Sequence, residues 1–423
     1  MIAGDKRFAE FLLNITARGV ILKQNFTGEI LTNRMFFNID KKYVFRVIAV
    51  AIFLKLLLFA FLITGAPESR FLNDSQDYLD TAKTLSAQGT FAVVDNNGSL
   101  NYQPYRTPGY PLFLAILQGW MKLPINGVIF IQLLLTLLVA LIVYQAAARI
   151  DPRIAFLSAV IILYDPPISI FSLIILTETL FLFLIALFLL VFISYLKNNK
   201  IYLIVSAALL LIMATYTRPI TYYLGIVVTV FIIYANLRFR RIKKAIIHAL
   251  VFLVLVYSLI GMWESRNYRL TGQRTFSNVI HGVTSVYGLG RIFLKNKDSL
   301  PEQERSLVYG IKTASRCFLS LMTRPGPFKY FRSPTVSSVG KIFAYPWMIF
   351  WLTGFIFGIV RAGSNIYYQF ILLVIAYFIF ASIGGVGLLV GERHRVPIMP
   401  FIAIISAFGW SFFNFLEKRV KNS

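Results

Sequence analysis

The chain has 423 residues, 57% of them apolar and 14% charged, with a mean hydropathy of +0.70. A water-soluble domain carries about 45–50% apolar and about 25% charged residues, so a soluble fold is excluded and a polytopic, all-α membrane protein is expected. Lys+Arg 42 against Asp+Glu 18 gives a formal +24, which in a soluble chain would point to nucleic acid, but the cytoplasmic loops of membrane proteins collect Lys and Arg as well. The single cysteine, Cys317, excludes an intramolecular disulfide, and no CxxC or Cys/His cluster offers a structural zinc site.

In chain order, residues 1–43 form a first segment without the short apolar core and small residues of a cleavable signal. The first membrane helix is expected to serve as the address instead. Within that segment Phe8, Phe11, Leu12 and Ile15 stand at helical spacing, which predicts an amphipathic helix lying on the cytoplasmic surface. A crossing needs about 20 predominantly apolar residues. Stretches that meet or approach this run over 44–64, 126–147, 154–164, 168–195, 201–216, 220–236, 246–263, 342–360, 366–390 and 396–413, giving about ten helices. The third is short, and Tyr164-Asp165-Pro166-Pro167 breaks helical geometry before the fourth.

Basic residues set the orientation. Lys41, Lys42, Arg46, Arg149, Arg153, Lys197, Lys200, Arg238, Arg240, Arg241, Lys243, Lys244, Arg361, Lys418, Arg419 and Lys421 all fall on one side when ten crossings are counted in order. Both termini are then cytoplasmic. The domains expected are the N-terminal segment 1–43, a transmembrane module 44–263 with an external loop 65–125, an external basic segment 264–341, C-terminal membrane helices 342–413 and a cytoplasmic tail 414–423. The segment 264–341 carries Arg266, Arg269, Arg274, Arg291, Lys295, Lys297, Arg305, Lys312, Arg316, Arg324, Lys329 and Arg332 against few acids. It reads either as a surface for anionic phosphate or lipid headgroups or as a solvated basic face.

In the first external loop, Asn73-Asp74-Ser75-Gln76-Asp77-Tyr78, with Tyr78, Ala82 and Leu85 on one face, predicts a short amphipathic helix. On these residues alone Asp74 reads equally as its N-cap, with Asp77 completing a capping arrangement. Tyr105-Arg106-Thr107-Pro108-Gly109-Tyr110-Pro111-Leu112-Phe113 reads as a turn into a second surface helix through Trp120. Glu178 is expected about two turns inside the fourth membrane helix, where an unpaired carboxylate costs a few kcal/mol. It is either functional or a helix–helix contact through Thr177 and Thr179. Arg218, at a turn between helices, is either a ligand group or a snorkelling anchor, and Arg393 and Arg395 carry the same alternative.

Taken together, Asp74 with Tyr78 and Ala82, then Arg106 through Phe113, resemble the first external loop of GT-C superfamily glycosyltransferases, polytopic enzymes that use polyprenyl-phosphate sugars. The nearest kin by this resemblance are bacterial relatives of protein O-mannosyltransferases and of the lipid A aminoarabinose transferase. Further landmarks follow in order: Tyr164-Asp165-Pro166, Leu176-Thr177-Glu178-Thr179-Leu180-Phe181, Thr217-Arg218-Pro219, Trp263-Glu264-Ser265-Arg266-Asn267-Tyr268, and Gly391-Glu392-Arg393-His394-Arg395 with Val396 to Pro400. The resemblance covers roughly residues 44–413. One departure stands out: Ser75 follows the first acidic residue where protein mannosyltransferases typically have Glu.

The resemblance implies a GT-C-like fold with external amphipathic helices in the first loop. It also implies transfer of a hexosyl or pentosyl group from a polyprenyl-phosphate donor to a hydroxyl of a glycan, lipid or protein acceptor. Asp74 is expected as general base, with inversion, and Glu178 and Asp165 as supporting acids. Tyr78, Arg106, Tyr110, Arg218, Arg266, Arg393 and Arg395 are the expected substrate-binding residues. No cofactor is required by the sequence, a divalent cation is left open, and no nucleic-acid partner is expected. The site is expected on the external face of a bacterial inner membrane. Two rivals remain: a polysaccharide polymerase or ligase using a lipid-diphosphate donor, and a lipid or solute transporter. A transporter would place polar groups at the midplane and often show repeats.

Overall fold

The computed structural model describes residues 41–65, 67–95, 97–102, 106–277, 307–328, 334–386 and 389–421. The surface helix expected around Phe8, Phe11, Leu12 and Ile15 lies outside the described residues, as do Arg291, Lys295, Lys297, Arg305, Lys329 and Arg332 of the basic segment. Contacts divide the chain into Met1–Val44 and Phe45–Ser423, and apart from residues 41–44 everything described below lies in the second unit.

The helices follow from long apolar runs punctuated by Pro, Gly and charge. They are α1 (Lys41–Gly65), α2 (Asn73–Gln88), α3 (Gly109–Leu114, continued by a wider π turn Ala115–Trp120), α4 (Ile125–Ile150), α5 (Pro152–Leu163), α6 (Pro166–Phe171), α7 (Glu178–Asn198), α8 (Ile201–Thr217), α9 (Leu224–Arg238), α10 (Ile242–Thr271), α11 (Leu307–Thr323), α12 (Pro334–Arg361), α13 (Ile366–Val386), α14 (Glu392–Arg395) and α15 (Met399–Lys421). Two short strands, β1 (Val93–Val94) and β2 (Leu100–Asn101), pair antiparallel between α2 and α3. The protein is an all-α integral membrane protein with amphipathic helices in its first loop.

About ten apolar helices were expected. Among the described residues eight are long and apolar enough, by length and composition, to cross a membrane, and two shorter apolar helices, Pro152–Leu163 and Ile201–Thr217, account for the other two. One boundary differs. The apolar run 168–195 does not form one helix: α6 stops at Phe171, an irregular strap covers 172–177, and α7 starts at Glu178. Glu178 therefore occupies the first turn of a helix rather than a position two turns inside it.

Packing places α4 against α5 and α7, α7 against α8, and α10 against α8 and α9; α15 packs on α12 and α5. The α12–α15 contact is close because glycines remove side chains from it: a Cβ on Gly354 would meet Ser406 O at 2.7 Å, and Gly358 lies directly on the Ile405 backbone. Small residues at such crossings let backbones approach where no hydrophobic drive between helices exists.

Candidate active site

The site grows from the first turn of α2. The Leu72 N–H donates to Ser75 Oγ at 2.9 Å, and the Ser75 hydroxyl donates to the Ile175 carbonyl at 2.8 Å. The serine thus closes the helix start and fastens it to the 172–177 strap. Asp74 makes no capping bond. Its Oδ1 accepts from Arg106 Nη2 at 2.9 Å and its Oδ2 from Arg393 Nη1 at 2.9 Å. The α2 helix ends at Gly89, whose φ of 66° gives the left-handed cap that glycine adopts without a steric cost.

Arg106 reaches α2 because its loop is sewn to the end of α8. The Thr107 hydroxyl donates to the Thr217 carbonyl at 3.1 Å. At Gly109 a Cβ would stand 2.9 Å from Thr217 N and 2.7 Å from its Oγ1, so only glycine lets the start of α3 lie on that backbone. Arg106 then spans both acids, with Nη2 also 2.8 Å from Asp77 Oδ2. Its guanidinium carbon lies 5.0 Å from the centre of the Tyr78 ring. Tyr78 meets Tyr110 edge-on at 5.2 Å.

The strap that carries Glu178 is braced from both sides. Tyr110 OH donates to Gln132 Oε1 at 2.7 Å, while Gln132 Nε2 donates to Ser172 O at 3.0 Å and Ile174 O at 2.8 Å. The Ile175 N–H donates to Arg70 O at 2.9 Å. Glu178 is fully buried, yet its Oε1 accepts from Arg218 Nη1 at 2.8 Å and from Arg393 Nε. Its place in the first turn of α7 also sets a negative charge at the positive end of a helix dipole.

The result is one ion-pair chain: Asp77–Arg106–Asp74–Arg393–Glu178–Arg218. Three carboxylates face three guanidiniums, so the cluster is formally neutral. The two central acids differ in access, Asp74 being 31% exposed and Glu178 0%. Burial alone would raise the Asp74 pKa, but the Arg393 and Arg106 guanidiniums outweigh it and hold this carboxyl below the usual range. Burial pushes the Tyr78 and Tyr110 hydroxyls upward, so both stay neutral.

Of the residues singled out in the sequence, the structure brings together Asp74, Tyr78, Arg106, Tyr110, Glu178, Arg218 and Arg393. It sets three apart. Asp165 caps α6 by accepting from Ile168 N at 3.0 Å and is fully buried. Arg266 donates to Phe91 O at 2.8 Å and to Asn267 Oδ1 at 2.9 Å, with Trp263 and Phe91 against its guanidinium. Arg395, 1% exposed, donates to the Leu321 and Met322 carbonyls at 3.0 and 3.1 Å and lies over Trp351. These two arginines organise backbone and aromatic rings rather than the carboxylate chain.

Sequence reasoning missed Asp77 as an ion-pair partner and Gln132 as a brace, and it counted Arg324 only among the basic residues of 264–341. That arginine is exposed and lies over Gly391, where a Cβ would come 2.7 Å from its Nη1. An amide well inside an apolar spanning helix was a usable signal for Gln132, since it costs free energy there unless it is hydrogen-bonded. Among the described residues no three His, Cys, Asp or Glu side chains converge to hold a metal ion. The acids of the ion-pair chain face guanidiniums instead.

Residues 105–263 match the family model described as dolichyl-phosphate-mannose-protein mannosyltransferase. No curated protein sequence is significantly similar to the chain. The fold is that of the oligosaccharyltransferase AglB from Archaeoglobus fulgidus. A structure of that protein with an inhibitory peptide and a dolichol-phosphate superposes with a TM-score of 0.51 at 14% identity, over 90% of this chain and 52% of the other. A second structure of the same enzyme, tethered to an acceptor peptide, gives 0.52 at 13% identity over 88% and 50%. The chain thus spans about half the length of these relatives. ArnT from Cupriavidus metallidurans, in the apo state, gives 0.41 at 14% identity over 88% and 75%. The chain thus shares its fold with that archaeal oligosaccharyltransferase, and its residues 105–263 are similar to the mannosyltransferase family, in line with the sequence resemblance.

Proposed function

We propose that the protein moves a sugar from a polyprenyl-phosphate donor to an acceptor hydroxyl, with Asp74 as general base, on the external face of the membrane. The observation that carries this reading is the single guanidinium, Arg393, shared between the accessible Asp74 and the sealed Glu178. In the reaction the acceptor oxygen bonds to the anomeric carbon while the bond from that carbon to the phosphate oxygen breaks. The phosphate leaves with the electron pair, and the acceptor proton passes to the Asp74 carboxylate. A single displacement of this kind inverts the anomeric centre.

The paired state explains how one acid serves both binding and chemistry. An aspartate held below its usual pKa is a poor base. A donor phosphate competes for the Arg393 and Arg218 guanidiniums, and Arg324 beside Gly391 adds a further cation. As Arg393 turns toward phosphate, Asp74 loses the partner that depresses its pKa and becomes basic where the acceptor arrives. Glu178 cannot follow, since it is sealed, and it keeps the two arginines aimed. Tyr78 and Tyr110 pack edge-on beneath the site and hold the Arg106 end of the ion-pair chain in place.

The distribution of Lys and Arg among the loops supports an external position for this end and cytoplasmic termini. The acceptor class, whether glycan, lipid or protein, is the open half of the reaction. A lipid-diphosphate polymerase or ligase would put the essential groups in the basic segment, and a transporter would not need Asp74. Purified protein is incubated with a panel of polyprenyl-phosphate sugars, and donor consumption is followed for wild type and Asp74→Asn. A loss of at least roughly 100-fold is expected for a missing general base. Undiminished turnover in a folded Asp74→Asn protein would sink the assignment.

A further inference from the structure

A cavity of about 520 Å³ opens at the far end of the bundle, where α4 gives way to α5 and α12 to α13. It belongs to no part of the carboxylate site. Arg153, Arg361, Tyr368, Asp151, Ser364 and Asn365 line it. Asp151 is committed: it accepts from the Arg153 backbone N–H at 2.9 Å, capping α5, and from Arg153 Nε at 3.0 Å and Nη2 at 2.7 Å. The Nη1 of Arg153 remains open, on a side chain 62% exposed.

Arg361 is aimed with more care. Its guanidinium carbon sits 4.6 Å above the Phe408 ring, and Nη1 donates to the Phe408 carbonyl at 2.8 Å. Phe408 in turn stacks on Tyr368 with ring centres 4.1 Å apart. Nε and Nη2 of Arg361 meet no acceptor among the described residues. Tyr368 is 3% exposed, and its hydroxyl, turned to this cavity, has no hydrogen-bond partner among the described residues. That hydroxyl is a donor open to a ligand in the cavity. Two arginines against one aspartate leave the lining at formal +1.

We propose that this cavity binds a singly charged phosphodiester, that of a phospholipid headgroup, through Arg153, Arg361 and the Tyr368 hydroxyl. The charge matches, and the donors left open on the two guanidiniums and the tyrosine are those a phosphate accepts from. The depth matches as well. Candidate spans end at Ile150 and Arg361 and another begins at Ile366, which is where headgroups meet hydrocarbon. Beside the opening, Val360 at 80% and Ile356 at 55% exposure give acyl chains an apolar wall. A lipid seated here ties the α4–α5 turn to the α12–α13 turn.

The test uses delipidated full-length protein in detergent. Phosphatidylglycerol, phosphatidylcholine or inorganic phosphate is added, and retained ligand is read by native mass spectrometry beside the thermal midpoint. Wild type is expected to hold one phosphatidylglycerol and to melt higher with it. Tyr368→Phe, which keeps the ring stack, and Arg361→Gln are each expected to weaken retention by about tenfold, the effect of losing one charge-assisted hydrogen bond. A midpoint without lipid equal to wild type shows that the variant has folded. If inorganic phosphate alone raises the wild-type midpoint and the variants lose that rise, the anion site stands and its source is soluble phosphate. Equal retention of phosphatidylglycerol by wild type and Tyr368→Phe, or retention of phosphatidylcholine as strong in Arg361→Gln as in wild type, overturns the proposal.

Discussion

Asp74 and Glu178 hold the same guanidinium, that of Arg393, from opposite sides, one carboxylate open to a ligand and the other sealed in the protein. Substituting the two should therefore have different effects. Asp74→Asn keeps one oxygen acceptor and turns an amide N–H toward the other guanidinium, so a modest drop in thermal midpoint is expected while transfer falls by at least roughly 100-fold. Steady-state rates and a melting curve on the same preparation separate the two effects.

Glu178→Gln should behave in the opposite way. Removing the buried charge leaves Arg218 and Arg393 without their common counter-ion, and breaking such a pair from one side costs on the order of 3 kcal/mol. A large drop in thermal midpoint is expected. The double variant Glu178→Gln with Arg218→Gln should lose less than the two single losses added together, which a double-mutant cycle reads directly.

Acid should expose the Asp74 pairing. Its folded pKa lies below the unfolded value of about 3.9, so its contribution to stability is fully present above that pH and is lost as pH falls through the folded value. Between neutrality and about pH 5 the difference in midpoint between wild type and Asp74→Asn should stay constant, and it should shrink below about pH 4. A difference that widens on acidification would contradict the ion pair.

Gly109→Ala places a methyl 2.9 Å from the Thr217 backbone nitrogen, so the Arg106 loop must lift from α8. A stability loss of about 1–3 kcal/mol is expected, with a larger fall in activity because Arg106 moves off Asp74. Gly261→Ala in α10, where a Cβ meets nothing within 4 Å, is the matched control and should be neutral or slightly stabilising.

Gln132→Leu tests the brace behind the strap. It leaves the Ser172 and Ile174 carbonyls and the Tyr110 hydroxyl unmatched in a buried place, at about 1–3 kcal/mol for each group. Hydrogen exchange should quicken at residues 172–177 before it does elsewhere in the helices.

The sequence made much of the site legible because charge is expensive in a membrane protein. Asp74, Arg106, Glu178, Arg218 and Arg393 stood out as polar groups at one end of apolar runs, and the structure joins them. Hydropathy did not reveal the break at 172–177, because those residues are as apolar as a helix. The carbonyls released there are satisfied by Gln132, which lies far away in sequence. Asp77 read as a cap because its spacing from Asp74 fits one, yet Ser75 does that work and frees both acids for Arg106. Arg266 and Arg395 carried the same signal as the arginines of the site. Only tertiary packing against Phe91, Trp263 and Trp351 separates them.

Arg393 lies 319 residues after Asp74 and 215 after Glu178, which sets an order on biosynthesis. While the ribosome is still making the chain, Glu178 has Arg218 as a neighbour, but the shared counter-ion has yet to be translated. The early helices therefore enter the bilayer with an electrostatic vacancy, filled only when the C-terminal helices insert and dock. Premature termination before that point leaves Glu178 with Arg218 and without Arg393 as counter-ion.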